Sequence, residues 1–434
     1  MKNELDHILI SSNSPHWHQK LRELHEALFK ATYFIGEDER HKSLMHILDE
    51  VRTRGDTAVQ EFTKEFDDVL LLPQQFKISK DDLEKAHKEI DSGLLVSLKQ
   101  AIDNVRKYQS EIFIGNIEHP QIKYTAVERV GVCVPGASAP LPSTVIMTAV
   151  PAQVAGVEQI VVVSPPRYKG TIHPVILAVC FELGINEVYR IGGAQAVAAL
   201  AYGTQTITPV NKIVGPGNQW VQMAKKEVLG YVGIDSIAGP SEVLIIANNK
   251  ANPAWVAADM LSQAEHDPGS AVVFTDSQTL AQHVLNELIK QVKQLNRCQR
   301  ALECLKKFSG IVVFDNINDV IKHANDFASE HLEIQCGGQS REIADQIKNA
   351  GAIFIGDYTP VAVGDYWAGP SHTLPTGQTA KFFSALSSND FIKSTSIIEY
   401  DRKKLTQSAD DIIRLAETEG LDAHANSIKI RQQH

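Results

Sequence analysis

Val130-Gly-Val-Cys-Val134 runs into Pro135-Gly-Ala-Ser-Ala-Pro-Leu-Pro142, and this pairing of a short apolar run with a Gly/Pro turn recurs downstream. Gln159-Ile-Val-Val-Val-Ser164 precedes a helix-compatible segment near 175–183. Glu187-Val-Tyr-Arg-Ile191 opens into Gly192-Gly-Ala-Gln-Ala196, and Lys212-Ile-Val-Gly-Pro-Gly-Asn218 leads to a helix from Trp220. Thr144 to Val154 also reads as a helix, with Ser143 or Thr144 as its cap. Strands alternating with helices at this spacing predict βαβ units and a parallel sheet. Right-handed crossovers then put the glycine turns at the C-terminal edge of the strands, where such sheets bind ligands. Backbone amides in these turns are suited to a phosphate or dinucleotide. Gly215-Pro-Gly-Asn-Gln-Trp220 lacks the third glycine of the dinucleotide fingerprint, so the turns mark a ligand edge without naming the ligand.

Outward from this block the pattern repeats once. Gly239-Pro-Ser-Glu-Val-Leu-Ile-Ile-Ala247 begins a second set of strands, continued at 271–275, 311–314, 331–336 and 352–356. Upstream, about Ser14 to Glu111 reads as helices, with apolar positions at Leu44, Ile47, Leu48 and Val51 and again at Leu94, Leu95, Leu98, Ile102 and Val105. The plan expected is α/β, one unit inserted within another, with helical flanks at both ends.

A chain of 434 residues exceeds one ordinary core at ~150 residues per domain. Its formal charge of -10, with no dense Lys/Arg cluster, argues against nucleic acid or an anionic membrane as partner. The start, Met1-Lys-Asn-Glu-Leu-Asp-His-Ile8, lacks the apolar core of a signal peptide. No apolar run reaches the ~18–20 residues of a membrane span. The cysteines Cys133, Cys180, Cys298, Cys304 and Cys336 include no C-x-x-C pair, which suits reduced thiols and a cytoplasmic location. Cys336 has no evident base beside it and reads as a core thiol.

Several stretches put acids, amides and histidines where core logic does not want them. In Leu261-Ser-Gln-Ala-Glu-His-Asp-Pro-Gly269, Gln263 and His266 are spaced to share one face at the end of a helix, as half a metal site or as a solvated helix end. Ala328-Ser-Glu-His-Leu332 puts Glu330 and His331 at a strand entrance, where Glu suits water activation and His suits proton transfer. Gly364-Asp-Tyr-Trp-Ala-Gly-Pro-Ser-His372 is a Gly/Pro-rich loop after a strand, carrying Asp365 and His372; loops at a strand's C-terminal edge often hold site residues. A plainer role for Asp365 and Ser371 is local turn hydrogen bonding. In the tail, Gly420 closes a capped helix and Asp422 begins another, so Glu419 and His424 flank a sharp turn. Gln263, His266, Asp365 and His424 together offer two nitrogens and two oxygens, a set that suits a zinc-like ion, although spacing alone does not assemble them.

At these residues the chain resembles the histidinol dehydrogenase family. The resemblance is carried by Pro-Gly-x-Ser-Ala-Pro-Leu-Pro-Ser-Thr (135–144), Gly-Gly-Ala-Gln-Ala (192–196), Gly-Pro-Gly-Asn (215–218) and Ala-Gly-Pro-Ser-Glu (238–242). It continues through Leu-Ser-Gln-Ala-Glu-His (261–266), Glu-His-Leu (330–332), Gly-Asp-Tyr (364–366) and Ala-His (423–424). It implies two incomplete Rossmann-like units of aldehyde-dehydrogenase type in an intertwined homodimer. The implied division is an N-terminal helical extension (1–30), a discontinuous α/β domain (31–128 and 243–385) with most metal and catalytic residues, an inserted nucleotide-binding domain (129–242), and a tail (386–434) crossing to the partner. The implied reaction is the four-electron oxidation of L-histidinol through L-histidinaldehyde to L-histidine, with NAD⁺ as oxidant twice. One zinc ion per subunit is expected on Gln263, His266, Asp365 and, across the dimer, His424. Glu330 and His331 are the implied acid–base pair. Ser241, His372 and Glu419 join Gln263, His266, His331, Asp365 and His424 around substrate, and Cys133, Gln195 and Asn218 face NAD⁺. Cys133 stands where the family often has Tyr, so an aromatic neighbour of the cofactor is lost. Ala137 replaces the second glycine of Pro-Gly-Gly, and Ser371 stands where Asn is common.

Two other functions compete. A related zinc dehydrogenase for another small polar alcohol fits the same fold, but Glu419 and His424 suit histidinol's amine and imidazole. A non-catalytic, zinc-stapled nucleotide-binding dimer fits the metal residues but leaves the Glu330-His331 pair without a purpose.

Overall fold

The Val/Ile runs are apolar at consecutive rather than alternate positions, the pattern of strands covered on both faces. In the computed structural model, which describes residues 4–32, 39–136, 140–266 and 268–432, they build two parallel sheets. Ala137 and Asp267 lie outside the described residues.

The chain opens with strand β1 (Leu9–Ser11) and helix α1 (Trp17–Thr32). Helices α2 (Glu39–Arg54), α3 (Asp56–Asp67), α4 (Lys80–Glu89) and α5 (Ser92–Glu111) follow, then strand β2 (Ile122–Ala126). The first sheet is made by β3 (Arg129–Cys133), β4 (Gln159–Val163), β5 (Glu187–Tyr189), β6 (Lys212–Val214) and β7 (Gly233–Ile234). Between its strands run α6 (Pro142–Val154), α7 (Pro174–Glu182), α8 (Gly193–Tyr202) and α9 (Gln219–Val228). The second contains β8 (Ser241–Ala247), β9 (Gly269–Thr275), β10 (Gly310–Val313), β11 (His331–Gln335) and β12 (Ala352–Ile355). Its helices are α10 (Pro253–Ala264), α11 (Gln278–Gln291), α12 (Cys298–Phe308), α13 (Ile317–Phe327), α14 (Ser340–Ala344) and α15 (Val361–Tyr366). Strand β13 (Ile392–Ser396) and helices α16 (Arg402–Thr418) and α17 (Asp422–Gln432) end the chain.

The five-stranded sheet has the order β5-β4-β3-β6-β7, so the chain reverses direction across the sheet at β3. The six-stranded sheet has the order β1-β10-β9-β8-β11-β12 and reverses at β8. Each is therefore a doubly wound, Rossmann-like unit with a switch point, and the first is inserted between β1 and β8 of the second, as expected. The N-terminal extension is not wholly helical, however. Leu9, Ile10 and Ser11 pair in parallel with Ile311, Val312 and Val313 and cover the β10 edge.

The helices of residues 39–111 also differ from expectation. The sequence groups 31–128 with the later sheet, but the side chains pack on the earlier one. Leu44, Ile47, Leu48 and Val51 of α2 share a core with Val161 and Val163, while Leu83, Leu98, Ile102 and Val105 of α4 and α5 share one with Val130, Val132 and Val162. Alternate residues of β4 thus face opposite helical layers, as the two-residue strand period requires. The physical reason is coverage: two-sided apolar strands need both layers. Helix α6 starts with Pro142 after Leu141, without the side-chain cap expected of Ser143 or Thr144; proline's fixed φ already suits the first turn.

Residues 115–125 and 393–434 form a second unit, comprising most of the paired strands β2 and β13 together with α16 and α17. Asp401 caps α16 by accepting the Lys404 N–H at 2.7 Å, and Gly420 (φ 72°) ends the turn after it. Helix α17 returns along α16, tied by Lys429 to Glu417 at 2.5 Å.

Candidate active site

Strands β8 and β11 are neighbours, with His331 opposite Val243. Ala328, at φ 50°, closes α13 and swings the chain toward β11, so that Glu330 sits at the loop–strand junction. Its Oε2 accepts Ser241 Oγ and the Glu242 N–H, both at 2.8 Å. The Glu242 carboxyl in turn accepts the N–H groups of Glu330 at 3.3 Å and Gly377 at 3.0 Å. His331 Nδ1 lies 3.1 Å from the Glu242 carbonyl oxygen and 3.4 Å from Glu330 Oε2. On the other side of the ring, Nε2 lies 3.6 Å from Asp365 Oδ1, too long for a hydrogen bond, and it is buried without a hydrogen-bond partner.

Electrostatics separates these groups. Burial, reinforced by the nearby Glu330, pushes the Glu242 carboxyl up to about 8. Burial alone disfavours charge on His331, but Glu330 and Asp365 override it and hold the ring's proton affinity well above the usual histidine value. Asp365 pays a burial penalty yet is held below the usual carboxylate range by His331, His372 and His266. His372 goes the other way, lowered chiefly by burial.

The expected metal residues are only partly gathered. Gln263 is buried in the last turn of α10, and its Nε2 has no hydrogen-bond partner. His266 lies beyond the helix end at Ala264 and is exposed, so the shared helical face expected of this pair does not form. The cause is Gly269: a Cβ there would stand 2.2 Å from the Gln263 carbonyl oxygen, so strand β9 starts hard against the last helical turn. Asp365 reaches the site by an unexpected route. Its loop leaves the C-terminal end of β12, but α15 carries it back to His331 at the N-terminal edge of β11. His424 and Glu419 belong to the second unit, where both are exposed. Among the described residues, no group of three or more His, Cys, Asp or Glu side chains is assembled to hold a metal. The donor set fits zinc in kind, with an unpartnered buried amide at Gln263 and an anionic Asp365 among imidazoles. Of the other expected substrate residues, Ser241 is committed to Glu330 and His372 is half-buried within electrostatic reach of Asp365. Ser371 is buried; its Oγ accepts the Thr373 N–H at 3.1 Å, the expected local turn bond, and donates to the Met147 carbonyl at 2.9 Å, a tie to α6.

A cavity of about 730 Å³ occupies the C-terminal edge of the five-stranded sheet, lined by Cys133, Gly136, Gly192, Gln195, Gly217 and Asn218. Gly215 sets the turn that leads into its lining residues Pro216 and Gly217. It has φ 103°, and a Cβ would lie 2.4 Å from the Cys133 carbonyl oxygen, so the β6 turn can sit against β3 only with glycine there. Asp235 accepts the Gly215 N–H at 2.7 Å, Lys225 donates to its carbonyl at 3.0 Å, and the two side chains form a buried ion pair. Asn218 caps α9 through the N–H groups of Trp220 and Val221. Both polar atoms of the buried Gln195 amide lack partners. Burial pushes the Cys133 thiol up to about 12, as it does Cys336, so neither is a ready nucleophile.

The sequence left some of these residues unread. Glu242 is a carboxyl opening an otherwise apolar strand, and that mismatch was the available signal. The cavity wall of His46, Phe62 and Phe66 comes from α2 and α3, whose polar residues read simply as solvated faces.

The histidinol dehydrogenase family model matches residues 35–432. The chain is 44% identical over 408 residues to histidinol dehydrogenase of Oceanobacillus iheyensis, covering 92% of this chain and 95% of that protein. It is 45% identical over 413 residues to histidinol dehydrogenase of Bacillus subtilis, covering 93% and 96%. The crystal structure of histidinol dehydrogenase from Elizabethkingia anophelis matches with a TM-score of 0.89 at 32% identity, over 98% of each chain.

Proposed function

This chain belongs to the histidinol dehydrogenase family, and from that premise we propose how its residues share the work. Oxidation of L-histidinol in histidine biosynthesis is its reaction. The finer reading is a four-electron conversion through the aldehyde to L-histidine, with two NAD⁺ consumed. The observation that carries it is the cluster of buried Glu330 and His331 with half-buried Asp365 at the β8/β11 edge.

In its neutral form His331 is the base for the substrate hydroxyl. Donation of its Nδ1 proton to the Glu242 carbonyl leaves Nε2 as the lone-pair nitrogen, and Nε2 is the atom with no hydrogen-bond partner. The neighbouring carboxylates stabilise the imidazolium formed when it takes the proton. Glu330 activates water for the second oxidation. Ser241 and the Glu242 N–H hold its Oε2, which leaves Oε1 to draw the proton. Ser241, His372 and Glu419 are the substrate contacts.

Gln263, His266 and Asp365, with His424 from the tail of a second copy, are the residues to hold zinc. Zinc held there would supply a Lewis acid to polarise and orient the substrate. The exposure of Ile398, Tyr400, Leu415 and Ile430 in the tail supports an intertwined homodimer, because these apolar side chains need cover. The cavity beside Cys133, Gln195 and Asn218 is the NAD⁺ site; bound NAD⁺ supplies the hydride acceptor. There the N-termini of α8 and α9 suit a pyrophosphate. No described helix is long and apolar enough to cross a membrane, and the free cysteines support a cytoplasmic enzyme.

Separate assays of the two half-reactions test the division of roles. Glu330→Gln should retain histidinol oxidation to the aldehyde better than aldehyde oxidation, and His331→Asn should lose the first step. Equal loss of both steps in both variants would contradict separate roles.

A further inference from the structure

Behind the site lies a buried carboxyl pair that no step above uses. Glu333 follows His331 by two residues on β11, so both side chains leave the same face of the strand. Asp259 precedes Gln263 by one turn on α10, so these two share a helix face. Glu333 is only 1% exposed, and its two oxygens hold different elements. Oε1 accepts the N–H of Val361, the first residue of α15, at 2.8 Å, and Oε2 accepts Gln335 Nε2 at 3.2 Å. Gln335 Nε2 also donates to Asp259 Oδ2 at 2.6 Å, so one amide bridges the Glu333 and Asp259 carboxyls. Two buried carboxyls held on one amide disfavour carrying two charges. Burial and the neighbouring Asp259 accordingly push Glu333 up to about 8, and burial raises Asp259.

The three elements tied at this point are the ones that carry the site. Helix α15 has six residues and no side-chain cap at Pro360, so Glu333 supplies the acceptor for its first N–H. Asp365 is one turn further along α15, Gln263 one turn further along α10, and His331 two residues back along β11.

We propose that the Glu333–Asp259 pair is a positioning clamp that sets β11, α10 and α15 so that His331, Gln263 and Asp365 converge on one metal and substrate. The clamp rests on the zinc reading of Gln263 and Asp365. It touches neither substrate nor reacting atoms and acts through the elements it joins. Removing the Glu333 carboxyl frees the start of α15 and leaves Gln335 Nε2 held by Asp259 alone, so the link between α10 and α15 is cut. Glu333→Gln keeps the tie to α15, because its carbonyl oxygen still accepts from Val361.

The test measures Zn²⁺ affinity of the full-length dimer by competition with a chromophoric chelator, with the visible spectrum of the Co²⁺ form and thermal unfolding alongside. Glu333→Ala is expected to weaken Zn²⁺ binding by about 10–100-fold and change the Co²⁺ bands, the range for lost supports of metal ligands. Glu333→Gln should return the affinity to within about threefold of the parent, on the same principle. Asp259→Asn reads the pair from the α10 side should Glu333→Ala fail to fold, and a severalfold loss is expected. Unchanged Zn²⁺ affinity and Co²⁺ spectrum in the folded variants, with only the melting temperature lowered, would overturn the clamp and leave a purely structural pair. A parent enzyme that binds no stoichiometric Zn²⁺ would instead overturn the underlying metal reading, and the clamp with it.

Discussion

The carboxyl groups of Glu242 and Glu330 each accept the backbone N–H of the other residue, Glu330 Oε2 from Glu242 at 2.8 Å and Glu242 Oε1 from Glu330 at 3.3 Å. The exchange locks the entrances of β8 and β11 together and aims the Glu242 carbonyl at His331 Nδ1. It also buries two acids side by side, and Glu242 takes most of the penalty as a raised proton affinity.

That arrangement predicts a pH-dependent stability. Glu242 rises from the ordinary 4.5 to about 8 on folding, so between those values the folded chain keeps a proton that the unfolded chain has released. Stability therefore falls as pH rises across that window and levels off above about 8. Glu242→Gln keeps the acceptor oxygen and removes the ionisation. Denaturant melts from pH 5 to 9 should show the variant gaining on the parent as pH rises; parallel curves would contradict the assignment.

Glu330→Gln preserves an acceptor for Ser241 and the Glu242 N–H while removing a base. Turnover of L-histidinol to L-histidine should fall by about 10²–10⁴-fold, the usual worth of a general base, with the melting temperature little changed. Steady-state kinetics and calorimetry on one preparation measure both.

Much of the fold was legible because its signals are local. Consecutive apolar residues marked the buried strands, and the glycine turns after β5 and β6 lie where the cavity opens. What escaped depends on tertiary contacts. Strand β1, three residues long, is defined only by pairing with β10. Helices α2–α5 show which face is apolar but not which sheet they cover. The Glu330-His331 pair was readable as two reactive residues at a strand entrance. Asp365 was readable as a loop acid able to offer an oxygen to a metal, but its place beside His331 was not, because the short α15 returns it to the opposite sheet edge. Glu333 and Asp259, far apart in sequence, gave no local sign of meeting.

Gly215→Ala should damage the cavity proposed for NAD⁺. Its Cβ would meet the Cys133 carbonyl at 2.4 Å with φ at 103°, a strain of order 1–3 kcal/mol. Weaker NAD⁺ binding by calorimetry and a lower melting temperature are expected together. Unaltered binding would show that the β6 turn does not shape that cavity.

Metal removal should abolish activity and leave the sheets intact. The hydrophobic clusters on both faces of each sheet contain none of the proposed ligands. Chelated enzyme should keep its far-ultraviolet circular dichroism and regain turnover with Zn²⁺. Global unfolding on chelation would point to a structural ion.

If the tail of one subunit completes the site of the other, two inactive proteins should rescue each other. His424→Asn mixed with His331→Asn should recover some activity through hybrid dimers. No recovery, with subunit exchange shown independently, would contradict a shared site.

The central claim is that one site carries L-histidinol through both oxidations. Its most direct measurement is the NADH released per L-histidine formed from L-histidinol by the purified enzyme. The expected ratio is two, without accumulation of free aldehyde; a ratio of one with the aldehyde as final product, or no NADH at all, would contradict it.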